Sequence, residues 1–332
     1  MTNIVFYSYK MNPQEEINTH ELKRFEHSLK SLREFNNEIP VYLFCDDPSF
    51  IPPYFSTNYS VRVLPLAEGF DHDANAKNHG HLFLHRWCNL KYFYEEECNL
   101  LYVDSDVIFY DDVQYIFDTY NTADVYGREE FGFRHDPNTG GGGNIRKQLD
   151  LVDKGITDLG GKVPMYKFCM GVLLLRNNIH RGISDSLDDM INIMNQLANN
   201  EIPTPIPNRR IVDEYVMWAI LSRLGASSKL FAVQDVTQGW IEKKHQEYFN
   251  PVVCHYTTKN EQEFAKSSPK YSNLIRNEEV AYDPWSLSYD TKSTSHLSPE
   301  MVEAMAEDNG IIVDESDYLT GLNTGEEWVY EG

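Results

Sequence analysis

The chain of 332 residues predicts a layered α/β fold, a sheet flanked by helices, with an acidic C-terminal extension. Three observations carry this. Strand-length apolar runs alternate with helix-period segments along residues 1–260. Apolar residues make up 41 %, with 21 Tyr and 17 Phe, enough for a sizeable core. From Tyr271 to Gly332, fourteen acids face only Arg276 and Lys292, and the regular pattern fades. The expected division is a catalytic-type domain over 1–260 and the extension over 261–332.

The first strand is expected at 3–10 (NIVFYSYK). A helix follows, with Asn18 and Glu21 spaced as a capping box and Leu22, Phe25, Leu29 and Leu32 recurring at helical spacing. Residues 40–45 (PVYLFC) and 61–66 read as the second and third strands, and 81–94 as an aromatic-rich helix. The next strand, 100–103, precedes turn acids Asp111 and Asp112 and a short helix at 113–119. A short strand is expected at 123–126 and a loop at 139–144 (TGGGGN). A strong buried strand, 166–176 (YKFCMGVLLLR), is followed by amphipathic helices at 187–197 and 213–224, the second capped by Gly225. Short strands at 229–233 and 252–255 end the regular pattern, and Ser298-Pro299-Glu300 can open one more short helix.

The net charge of −22 would repel phosphate backbones, which argues against nucleic acid as a main partner. The last segment carries −12 of it, leaving a mildly acidic body. Five cysteines without a CxxC pair read as buried, reduced thiols of a cytoplasmic protein. No signal-peptide pattern is apparent at the N-terminus, and no apolar run approaches the ~20 residues of a membrane span.

The segment 99–110 (NLLYVDSDVIFY) carries the chemistry. Its apolar run ends in Asp104 and Asp106, which share one face because successive strand residues point to opposite faces. Two such carboxylates repel unless a cation lies between them, and hard divalent ions prefer oxygen ligands. The arrangement suits an enzyme that holds a metal against a diphosphate. A second Asp-x-Asp, Asp71-His72-Asp73, lacks the preceding apolar run and reads as a loop. The TGGGGN stretch has neither P-loop nor dinucleotide spacing and reads as a lid or linker.

YVDSDVIFYDD resembles the DxD segment of GT-A glycosyltransferases. The wider pattern is most similar to family 8, the glycogenin-like and lipopolysaccharide-galactosyltransferase-like enzymes. Besides the N-terminal strand, the matching pieces are Arg86 before the DxD strand, FCMGVLLLRN, Asp213-Glu214 in VDEYVMW, and His255 in VVCHYTTK. The resemblance covers roughly residues 3–260 and implies a Rossmann-like mixed sheet flanked by helices. It implies transfer of a hexose from a nucleotide sugar, a UDP-hexose, to a glycan or other hydroxyl acceptor, with retention of configuration. Asp104, Asp106 and His255 are the implied ligands of Mn²⁺ or Mg²⁺. Tyr7, Tyr9, Arg86, Ser105 and Lys259 are the implied donor-binding residues, the tyrosines for the base and the cations for the phosphates.

Asp213 and Glu214 are the implied catalytic pair, although acids at a helix start are also favoured by the macrodipole. Glu214 replaces the family's glutamine, Cys169 replaces a polar residue, and Lys259 stands closer to the histidine than the family lysine. Arg128, Glu129 and Glu130 are candidates for sugar hydroxyls.

Two other readings compete. Asp104-Ser105-Asp106-Val107 also fits the nucleophile motif of haloacid-dehalogenase-type phosphatases, but three strands precede it and no later Gly-Asp-x3/4-Asp motif exists. A non-catalytic nucleotide-sugar-binding module of the same fold would bind the donor without turnover.

Overall fold

A continuous apolar strand must be covered on both faces, and β1 (Thr2–Tyr9) and β4 (Cys98–Val103) are covered in this way. Their alternation sorts side chains into two cores. Ile4, Phe6, Leu100 and Tyr102 face one, with Trp87, whereas Val5, Tyr7, Leu101 and Val103 face the other. In the computed structural model, residues 1–11, 15–67, 85–129, 157, 168–189, 192, 212–238 and 251–256 are described.

The remaining strands are β2 (Val41–Cys45), β3 (Val61–Pro65), β5 (Val107–Phe109), β6 (Val125–Glu129), β7 (Phe168–Leu175), β8 (Ser228–Leu230), β9 (Val236–Gln238) and β10 (Val253–His255). The seven-stranded sheet has the order β3-β2-β1-β4-β7-β6-β8. Strands β1 to β4 run parallel, and β7 pairs antiparallel with both β4 and β6. A second sheet has the order β5-β10-β9.

The chain moves outward from β1 through β2 to β3, then crosses back to place β4 on the other side of β1. Strand order therefore reverses between β1 and β4. In open α/β sheets that point leaves a crevice beyond the carboxyl ends of the strands, where ligands bind.

Helix α1 (Glu15–Phe35) buries Phe25, Leu29 and Leu32 in the second core. The expected capping box does not exist, because α1 already runs at Glu15 and Asn18 and Glu21 lie inside it. Glu21 is instead a buried acid paired with Arg24. Short helices α2 (Tyr54–Tyr59) and α3 (Gln114–Thr119) follow β2 and β5, and 85–93 is helical, tightening to a 3₁₀ turn over Asn89–Phe93.

Helix α4 (Ile179–Asp185) and strand β9 escape sequence reading because they are short. Helix α5 (Val212–Arg223) is not amphipathic as expected: Val216 to Leu221 are all buried in the first core. It ends as expected at Gly225, whose φ is +66°. The amides of Gly225 and Ala226 bond the carbonyls of Ser222 and Leu221 at 3.1 and 3.0 Å, a Schellman closure. The 139–144 loop, most of the 187–197 helix, the 298–300 helix start and the whole extension lie outside the described residues.

Candidate active site and metal centre

Strand β4 is buried throughout and stops at Val103. Asp104 still pairs by its backbone, donating N–H to the Gly171 carbonyl at 2.9 Å. Residues 104–106 then turn, and β5 begins antiparallel to β10 in the other sheet. Asp104 and Asp106 therefore converge through a turn joining two sheets, not through the alternation of one strand. Val107 lies opposite His255, and Tyr256 donates its N–H to the Asp106 carbonyl at 3.0 Å. This pairing delivers the histidine, about 150 residues later in the chain, to the two acids.

His255 Nε2 lies 3.1 Å from Asp106 Oδ1 and 3.7 Å from Asp104 Oδ2. One ligand atom from each of the three residues lies within 4.8 Å of the others. The imidazole is 3 % exposed, Asp106 16 % and Asp104 28 %, so the group opens on the Asp104 side.

Two features fit a cation at this place. Asp106 Oδ1 is buried and faces His255 Nε2 at 3.1 Å without an aligned hydrogen bond, an acceptor that a cation between the two could use. Gly171 provides the cradle: a Cβ there would stand 2.1 Å from His255 Cε1. Two carboxylates and an imidazole form a mixed oxygen and nitrogen set suited to Mn²⁺ or Mg²⁺.

The protonation states follow from the same geometry. Burial alone would raise Asp106, but His255 and Arg24 outweigh it and hold the carboxyl below its usual range. Burial alone would lower His255, but the Asp106 carboxylate, aided by Cys169, lifts the imidazole well above its ordinary value. The Asp106 carboxylate thus favours the protonated form of the His255 imidazole.

Arg86 Nη1 lies 3.4 Å from Asp104 Oδ1, and its guanidinium sits over the Tyr102 ring at 5.0 Å. The Tyr102 hydroxyl donates to the same carboxylate oxygen. Arg86 is buried, so its charge is already oriented at the Asp104–Asp106–His255 group. At the carboxyl end of β1, Ser8 Oγ lies 2.6 Å from His85 Nδ1 and accepts from Asn89 Nδ2 at 2.8 Å.

The other expected residues are placed differently. Tyr7 is fully buried, its ring edge-on to Phe25 and its hydroxyl 2.8 Å from Ser28 Oγ. It is a core residue rather than a platform for a base. Tyr9 is 7 % exposed and packs edge-on against the same Phe25. The Ser105 hydroxyl donates to Glu21 Oε2 at 2.6 Å, which ties it to α1. Arg128 is buried and lies opposite Cys169 in the β6–β7 pair. Lys259, Glu130 and the side chains of Asp213, Glu214 and Glu129 lie outside the described residues, although Asp213 and Glu214 fall in the first turn of α5.

Sequence reading missed the Ser8–His85–Asn89 and Glu21–Arg24–Ser105 groups. Neither has a motif; each is assembled from separate elements by the fold.

No protein-family model matches the chain, and no curated protein sequence does. Solved structures do. The galactosyltransferase LgtC, determined with donor and acceptor sugar analogs, superposes over 86 % of this chain and 99 % of its own, with TM-score 0.54 at 12 % identity. An LgtC variant with an active-site glutamine changed to glutamate gives TM-score 0.51 at 13 % identity over 86 % of this chain and 99 % of its own. The bifunctional glycosyltransferase WbbM gives TM-score 0.54 at 12 % identity over 86 % of this chain, which matches half of WbbM. The mixed sheet with its switch point between β1 and β4 is thus the GT-A glycosyltransferase fold.

Proposed function

We propose that the chain is a metal-dependent glycosyltransferase that moves a hexose from a nucleotide sugar, a UDP-hexose, to a glycan or other hydroxyl acceptor with retention of configuration. One observation carries the reading: on a GT-A fold, Asp104, Asp106 and His255 converge at the carboxyl ends of the central strands.

Asp104, Asp106 and His255 would hold Mn²⁺ or Mg²⁺, whose charge would offset that of a diphosphate leaving group. Arg86, held against Asp104, supplies a fixed cation to the phosphate oxygens. Lys259 adds a second cation, and Tyr9 borders the base. Asp213 or Glu214, at the start of α5, stabilises the oxocarbenium-like sugar or attacks it as a nucleophile. Residues 1–260 form the transferase domain and 261–332 the extension. A cytoplasmic location suits the five free, buried thiols. Among the described residues no helix is long and apolar enough to cross a membrane.

Incubation with Mn²⁺ and a panel of nucleotide sugars tests the reading. Release of nucleoside diphosphate from one donor, abolished in Asp104→Ala and by chelation, is the expected result. Saturable donor binding without turnover would mark a non-catalytic module instead. Inversion of the product anomer by NMR would remove the retaining assignment alone.

A further inference from the structure

Ser105 lies between the two acids of the metal group, and its partner comes from a different element. Its hydroxyl donates to Glu21 Oε2 at 2.6 Å, and Glu21 Oε1 accepts from Arg24 Nη1 at 2.7 Å. The Glu21 and Arg24 side chains are only 8 % and 3 % exposed. A second tie lies four residues on: the Phe109 amide donates to Ser31 Oγ at 3.0 Å. The segment that carries Asp106 is thus fastened to α1 at both ends. Helix α1 is itself fixed, with Phe25, Leu29 and Leu32 at 1 %, 0 % and 1 % exposure.

A buried ion pair is a poor device for stability alone, because apolar residues of equal volume often serve as well or better. What it supplies is direction. A hydroxyl bound to a charged acceptor makes a strong, short hydrogen bond. A turn bearing two mutually repelling carboxylates needs such a restraint to stay converged.

We propose that Glu21, oriented by Arg24, is a positioning residue of the metal centre that acts through Ser105. It holds the 104–106 turn so that both acids face His255 before any ion arrives. This rests on the metal-site reading above. Residues that orient metal ligands typically contribute about ten- to a hundredfold to metal affinity.

The test is Mn²⁺ titration of the full chain followed by the EPR signal of free Mn²⁺, with metal-free melting temperatures measured in parallel. Ser105→Ala keeps every ligand and both charges; its Mn²⁺ affinity is expected to fall by about tenfold, with little change in melting temperature. Ser105→Thr, which keeps the hydroxyl, is expected to restore most of the affinity. Glu21→Gln added to Ser105→Ala should cost little more, because both changes break one linkage. Unchanged affinity in Ser105→Ala, beside loss of binding in Asp106→Ala, would overturn the positioning role and leave the metal site standing. Equal Mn²⁺ binding by wild type and Asp106→Ala would overturn the metal site, and the positioning role with it.

Discussion

Gly171→Ala is the sharpest perturbation of the metal centre, because it leaves all three ligands chemically intact. The added methyl carbon would stand 2.1 Å from His255 Cε1, 2.7 Å from Nδ1 and 2.8 Å from Nε2. Ordinary carbon–carbon separation is ~3.5 Å or more, so ring or strand must move by at least about 1.4 Å. The ring has little room to yield, since His255 is 3 % exposed and its strand is paired on both sides. Metal–ligand distances tolerate only ~0.2 Å, so a displaced imidazole cannot keep its place in the ligand set.

The variant should therefore lose at least about tenfold in Mn²⁺ affinity, comparable to loss of an orienting residue. Overpacking should destabilise the protein by about 1–3 kcal/mol. Mn²⁺ titration with a parallel urea melt measures both. Gly225→Ala is the control. Its φ of +66° strains a side chain, but nothing lies within 4 Å of the added carbon, so stability should fall with Mn²⁺ affinity unchanged. Wild-type Mn²⁺ affinity in Gly171→Ala would refute the packing argument.

Four further outcomes are expected. The raised His255 and lowered Asp106 set the pH response of the metal-free protein. Protonated His255 contributes stability that is fully present below ~6.5 and lost as pH rises through its raised folded value. Ionised Asp106 contributes above ~3.9 and loses its contribution as pH falls through its lowered folded value. Melting temperature in EDTA should be highest between these limits. Mn²⁺ binding, which needs neutral imidazole, should release a proton in calorimetry across buffers; no release would contradict the assigned protonation. Arg86→Met should raise the donor KM far more than it changes melting temperature, since the Asp104 partner is partly exposed and can be hydrated; an unchanged KM in steady-state kinetics would remove Arg86 from the donor site. Leu29→Ala, at a fully buried α1 position, should cost about 2–5 kcal/mol in a denaturant melt; a loss below about 1 kcal/mol would mean that α1 does not anchor this core.

Three strands of the parallel half were legible because each is a largely apolar run. NIVFYSYK, PVYLFC and the run before Asp104 stand out from polar surroundings, and they became β1, β2 and β4. Helix α1 was legible from Phe25, Leu29 and Leu32, but its start was misplaced. Asn18 and Glu21 mimic a capping box in residue type, whereas Glu21 answers Arg24 one turn on in the same helix and Ser105 across tertiary distance. Helix α5 was found with the wrong pattern, since its stretch Val216 to Leu221 is buried on every face and has no polar stripe to reveal its period.

At the site, Asp104 and Asp106 were legible by their context, yet the reason they converge was not. A strand and a turn place carboxylates at similar separations, and only the β5–β10 pairing distinguishes them. His255 came from family resemblance alone. Its partner surface, Gly171, lies in a strand whose single glycine has no local signal of what it cradles. Tyr7 shows the converse limit: residue type suggested a stacking platform, and register placed it under Phe25 in the core.

Diffraction from a crystal soaked with Mn²⁺ and UDP, recorded at the manganese absorption edge, tests the central claim most directly. The account predicts one anomalous peak bonded to Asp104, Asp106 and His255 and touching the diphosphate. An empty cluster, with the peak elsewhere or nowhere, would contradict it.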